Sequence, residues 1–140
     1  MTLATCDVSG KIPLVTPVFF ANDDNFKRFY WISSYHSQHS KNIMNNPNVC
    51  MVIFDTTVKH GEGFGVYMLG NAKMLDEDTV IEQANDLMKK KLNATDSRKA
   101  EYYLYPNPRR IYEFSYDEMW INVRILENDQ WIDKRTYINI

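Results

Sequence analysis

The sequence predicts a mainly β, α+β domain built on an antiparallel sheet or small barrel. Three observations carry this expectation. Short runs rich in Val, Ile, Thr and Phe recur between polar turns, one strongly amphipathic helix interrupts two β blocks, and no tandem βαβ unit occurs. The 140 residues are 44% hydrophobic with only 5 Gly and 5 Pro and show no repeat or linker, so residues 1–140 read as one domain.

Thr2 to Asp7 and Ile12 to Ala21 are expected as strands joined by Val8-Ser9-Gly10-Lys11, which has hairpin turn chemistry. Pro13 and Pro17 place the second at an edge or bulge, because proline cannot donate to a ladder. Asn22-Asp23-Asp24-Asn25 then turns into Phe26 to Ser33, giving a three-stranded meander. Ser34 to Asn46 reads as a short helix, with Ser34 and Ser37 as candidate N-caps and Asn45-Asn46-Pro47 as its stop. Val49 to Thr56 and Gly65 to Leu75 are strands around the flexible loop Lys59 to Gly63.

Asp76 to Leu92 is the clearest helix, since Val80, Ile81, Ala84, Leu87 and Met88 share one face of a 3.6-residue period. Acidic residues open it and Lys89, Lys90 and Lys91 close it, each sign matching the helix dipole, so the lysines are expected to be a solvated helix end. Ser97 to Tyr103 is expected as a second short helix before the breaker Tyr105-Pro106-Asn107-Pro108. Arg109 to Phe114, Met119 to Ile125 and Trp131 to Ile138 complete the strands.

A formal charge of −2 gives no general attraction to phosphate backbones or anionic lipid, so neither nucleic acid nor a membrane is expected as a partner. Apolar runs such as Val49 to Phe54 are far too short to span a bilayer. Met1 to Gly10 has no secretory pattern, which predicts a cytoplasmic protein with Cys6 and Cys50 as reduced thiols.

His36 and His39 would share a helix face, but no Cys, Asp or Glu supports them and His60 lies in another loop, so no metal site is expected. Cys50 falls inside an apolar strand, where an inert thiol is the ordinary reading. Gly61 to Gly65 is followed by a strand, not the helix that a phosphate-binding fingerprint needs. The junction Trp31 to Asn42 differs. It gathers hydroxyls, two imidazoles, an amide and a lysine at a helix N-terminus, where unpaired N–H groups favour an anion; the same residues also suit a simple cap and solvated turn.

Taken in order, Thr16-Pro17-Val18-Phe19-Phe20, Phe29 to Ser33, His39 to Ile43, Asn46 to Val49, Val52 to Asp55 and Val66 to Ala72 resemble the pyridoxamine 5'-phosphate oxidase-like family of FMN-binding split barrels. The resemblance covers roughly Thr2 to Leu75 and resumes weakly near Trp120 and in Trp131 to Arg135. It implies a split antiparallel barrel of six or seven strands with two or three flanking helices, dimerising around one FMN in each of two interface clefts. Thr16, Pro17, Val18 and Phe19 would then run beside the flavin ring and ribityl chain, with Ile32 and Ser33 near the phosphate. The family's basic phosphate clamp falls on Gln38 and His39, with Lys41 as a candidate substitute, and Trp120 and Arg135 match positions that reach FMN from the other subunit.

The implied activity is FMN-dependent oxidation or reduction of a small molecule, with NAD(P)H as a candidate electron donor. A flavin carrier or sensor, or a barrel holding haem or a deazaflavin, are the alternatives. True pyridoxamine phosphate oxidases carry an Arg and a His where this chain has Trp131 and Asp133, which counts against that substrate. Among the 9 Tyr, 7 Phe and 3 Trp, Trp31, Phe19 and Phe54 are expected in the core, whereas Trp120, Trp131 and Tyr137 are candidates to cover a flavin from the partner.

Overall fold

In the computed structural model of the chain, which describes residues 1–59, 63–95 and 98–139, Pro17 cuts the second expected strand in two. Strand β1 (Thr2–Cys6) and β2 (Pro13–Pro17) form an antiparallel hairpin in register from Thr2↔Pro17 to Cys6↔Pro13. Asp7 ties its turn together: one carboxylate oxygen accepts the Lys11 and Ile12 amides at 3.0 Å each. After Pro17 the chain leaves the ladder, and β3 (Ala21–Asn22) pairs elsewhere, with β4 (Arg28–Ser34). The expected meander is therefore corrected, because β4 lies between β3 and β7 (Arg109–Glu127), not beside β2.

With β5 (Asn48–Phe54) and β6 (Gly65–Met74), the sheet runs β2-β1-β5-β6-β7-β4-β3, and β8 (Gln130–Tyr137) pairs with β7. Flat, seven strands at about 4.8 Å spacing would hold the two ends about 29 Å apart. The four residue steps from Pro17 to Ala21 reach at most about 14 Å. The sheet must curl until its ends meet, which makes it a split antiparallel barrel. It has eight strands against the six or seven expected; β3 accounts for one of them.

Arg109 to Phe114 and Met119 to Ile125, expected as two strands, are one 19-residue strand. Their polar join, Ser115 to Glu118, stays paired with β6 through a register shift between Leu69 and Gly70. Gly70 is what permits that irregularity: a Cβ there would lie 2.1 Å from the Ser115 carbonyl oxygen.

Period-two alternation buries Leu3, Trp31, Met51, Met68, Tyr112 and Phe114 inside the barrel. A second cluster forms where helix α2 (Asp78–Leu92) lays Ile81 and Ala84 against Tyr30, Ile111 and the short 3-10 turn Ala100–Tyr103. That turn is the remnant of the second expected helix, whose first residue, Ser97, falls outside the described residues, as do His60 and Gly61 of the expected flexible loop. The lysine end of α2 is not simply solvated. Lys89 pairs with Asp86 at 3.4 Å, and Lys91 stands 3.5 Å above the Phe20 ring, holding α2 against the segment between β2 and β3.

Trp31 is fully buried, as expected, but Phe19 and Phe54 are 52% and 54% exposed in the single chain. Phe19 is approached by Lys91 of α2, 5.8 Å from its ring centroid, and Phe54 lines an open cleft with Phe64. No helix among the described residues is long and apolar enough to cross a membrane.

Candidate functional site

Strand β4 stacks Trp31 on Tyr112 inside the barrel, with ring centroids 5.5 Å apart, and two residues later presents Ser33. The chain turns through Tyr35 to Ser37 into α1 (Gln38–Asn45), whose first turn brings His39 back over Ser33. His39 Nε2 lies 2.9 Å from Ser33 Oγ and 3.1 Å from Ser37 Oγ, and Ser37 donates to Ser40 Oγ at 2.8 Å. Burial lowers the His39 pKa, so the ring stays neutral near pH 7. Burial pushes the Tyr112 phenol up, partly offset by the nearby Ser40 hydroxyl and Arg110 guanidinium, and its hydroxyl has no hydrogen-bond partner among the described residues.

Ser37 holds the N-cap position of α1 but makes no capping hydrogen bond, because its hydroxyl is engaged with His39 and Ser40. The first amides of α1 are thus left without a side-chain cap, at the positive end of the helix dipole. Ser34, the other candidate cap, instead accepts the His36 amide at 3.2 Å.

A residue that the sequence reading passed over completes this corner. Arg110 of β7 stands in register with Ser33, and its buried guanidinium donates to the carbonyl oxygens of Asn107 and Arg109 while lying 5.0 Å from the Tyr35 ring. Among the described residues no carboxylate pairs with it. Hydroxyls, a neutral imidazole, free helix amides and one unneutralised arginine together make a corner that accepts an anion. The available signal was an arginine at the start of a strand predicted to be apolar; its partner Ser33 depends on topology that spacing alone does not give.

The remaining candidates divide. Gln38 is exposed and donates to Asn42 Oδ1 at 2.9 Å, and Lys41 is exposed, so neither forms part of the hydroxyl ring. Asn42 is buried and donates to Thr5 Oγ1 at 3.0 Å, which fastens α1 to β1. Ile32 packs toward α2, against the second cluster. Thr16 and Pro17 end β2, Val18 packs on the barrel core, and Phe19 is open to solvent. His36 is exposed with its ring 3.9 Å from Tyr35, turned away from the use made of His39.

Trp120 and Arg135 do come together, with the guanidinium 4.5 Å from the indole centroid. Tyr67 stacks on Trp120 at 5.7 Å and Tyr137 tilts against it at 6.0 Å. The buried Trp120 Nε1 has no hydrogen-bond partner in the described chain, an indole N–H donor left available. Ten residue steps along β7 lie between Arg110 and Trp120. Beyond Tyr67, a cleft of about 680 Å³ opens between the ends of β5 and β6 and the β7–β8 hairpin.

A family profile described as pyridoxamine 5'-phosphate oxidase matches residues 1–122. No curated protein matches the sequence. Among solved structures, the haem storage protein HutZ from Vibrio cholerae superposes with a TM-score of 0.67 at 16% identity, over 83% of this chain and 80% of that one. A haem binding protein from Mycobacterium smegmatis gives 0.67 at 16% identity over 95% of this chain and 51% of that one. A Listeria innocua protein provisionally assigned as a pyridoxamine 5'-phosphate oxidase gives 0.62 at 14% identity, over 86% and 85%. At these identities the structures are alike in fold.

Proposed function

The chain belongs to the pyridoxamine 5'-phosphate oxidase family, and from that premise we propose that it binds FMN between two copies of itself and serves as a flavin-dependent oxidoreductase for a small molecule. The observation that carries the reading is the anion-accepting corner of Ser33, Ser37, His39 and Arg110. It fits a phosphate without the basic clamp, since Arg110 supplies the charge that Gln38 and a neutral His39 do not. The unpartnered Trp120 N–H beside Arg135 fits a polar flavin edge, and the match of Trp120 and Arg135 to family positions that reach FMN from the other subunit supports a site shared by two copies.

A bound flavin supplies the electron chemistry, while the chain binds it, orients it and excludes water. Trp131 and Asp133, exposed on β8, offer no cation for a phosphorylated substrate, which argues against pyridoxamine phosphate itself. Haem is the second reading, favoured by haem proteins among the fold's structural neighbours. In that case exposed His36 is the imidazole available among the described residues, because His39 Nε2 already faces two serines.

The visible spectrum of freshly purified protein, with mass spectrometry of released ligand and an FMN titration, tests both readings. Flavin bands and uptake of added FMN are expected. A Soret band with no FMN uptake would replace flavin by haem, and neither would remove both. Anaerobic bleaching by NADH or NADPH then separates an enzyme from a carrier.

A further inference from the structure

The 680 Å³ cleft beside Tyr67 has a chemistry that narrows the substrate. Its walls are aromatic: Phe64 and Trp131 are 65% and 61% exposed, and Phe54 and Tyr67 complete the lining. The Arg124 guanidinium approaches Trp131 and Tyr67 stacks on Trp120, while Phe54 and Phe64 have no ring or cation contact among the described residues, so the lining offers open aromatic surface to a flat ligand. Among the described residues that line it, two carboxylates, Asp55 and Asp133, stand against one cation, Arg124.

The two acids are arranged differently. Asp55 is pinned at the end of β5 by the Thr57 amide and hydroxyl at 2.8 and 2.7 Å, bonds that favour its ionised form. Asp133 stands opposite Arg124 across the β7–β8 ladder, yet no ion pair joins them among the described residues; the Arg124 guanidinium instead lies 5.4 Å from the Trp131 ring. Asp133 is thus an exposed carboxylate of the cleft lining with no ion pair among the described residues. The Tyr67 ring that lines this cleft also stacks on Trp120, so one side chain borders both the cleft and the proposed flavin edge.

We propose that this cleft selects planar heteroaromatic cations, unphosphorylated, with the ring held among Trp131, Phe54 and Phe64 and the positive charge toward Asp133. That such a ligand is the substrate rests on the flavin reading; that the cleft binds it does not.

Equilibrium binding of N-methylquinolinium and of quinaldate, two fused-ring probes of opposite charge, tests this by tryptophan fluorescence and calorimetry, with and without saturating FMN. N-methylquinolinium is expected to bind about tenfold tighter than quinaldate. Asp133→Asn should remove most of that preference, Asp133→Arg should reverse it, and Trp131→Ala should weaken both probes. Equal or stronger binding of quinaldate to the native protein overturns the proposal, as does a preference unchanged in Asp133→Asn. So does failure of both probes to bind, in which case loss of dimer in Trp131→Ala would assign the face to a second copy of the chain. Failed FMN uptake with cation preference intact would remove the flavin reading and leave the cleft's selectivity standing.

Discussion

His39 Nε2 sits 2.9 Å from Ser33 Oγ, six residues back along the chain, so the first turn of α1 closes over the end of β4. This imidazole is buried. Burial lowers its pKa in the fold, so on acidification the unfolded chain takes up this proton first. The stability contributed is complete above about pH 6.5, the unfolded value, and is lost as pH falls through it toward the lower pKa of the folded state. Urea midpoints measured between pH 7.5 and 5 should therefore fall, and His39→Gln, which cannot titrate, should flatten that part of the profile. Parallel profiles for the two proteins would show that His39 is not the group responsible.

Gly70 faces the backbone of β7, not a side chain that could move aside. A Cβ at this position would lie 2.1 Å from Ser115 O and 2.6 Å from Tyr116 Cα. Gly70→Ala must separate β6 from β7 or erase the register shift, and a loss of about 3 kcal/mol or more is expected from such overpacking. Chemical denaturation checks the size, and a change near zero would mean that the irregularity at Leu69/Gly70 relaxes without cost.

The bond from Asn42 Nδ2 to Thr5 Oγ1 joins α1 to β1 across 37 residues of sequence, and both side chains are buried. Thr5→Val keeps the shape and strands a buried amide donor, which should cost about 1–3 kcal/mol. Asn42→Leu in the Thr5→Val background should recover part of this loss, because no orphan donor remains. A double-mutant cycle measures the coupling, and strictly additive losses would deny the bond a role in holding α1.

Much of the fold was legible because it rests on local pattern. The hairpin at Asp7 to Ile12, the nearly continuous apolar run of β5 and the apolar face of α2 follow from spacing and turn chemistry. What escaped depends on partners distant in sequence. The polar residues Ser115 to Glu118 look like a turn, yet β6 keeps them in a ladder. Pro17 looked tolerable inside an edge strand, whereas it marks the point where the chain crosses from one end of the sheet to the other. Phe19 and Phe54 read as core because they are apolar, yet Phe19 lies just past the end of β2, Phe54 is the last residue of β5, and each is half exposed. At the site, Ser33 and His39 were found from the strand-to-helix junction, but Arg110 was not, since only the β4–β7 pairing brings it beside Ser33.

That pairing yields the sharpest test of the proposed phosphate corner. Arg110 donates to two carbonyl oxygens and has no carboxylate partner among the described residues, so its charge is available to a ligand. FMN and riboflavin differ by the phosphate alone. Arg110→Gln should therefore weaken FMN by about tenfold or more, the loss expected for one charge-assisted contact, and leave riboflavin nearly unchanged. Arg110→Lys, which keeps the charge without the planar fork, should fall between. Flavin fluorescence quenching gives both affinities on the same protein, and circular dichroism controls for folding. If FMN and riboflavin weaken together, Arg110 supports the barrel and the phosphate lies elsewhere; if only FMN weakens, the corner of Ser33, His39 and Arg110 is where the anion binds.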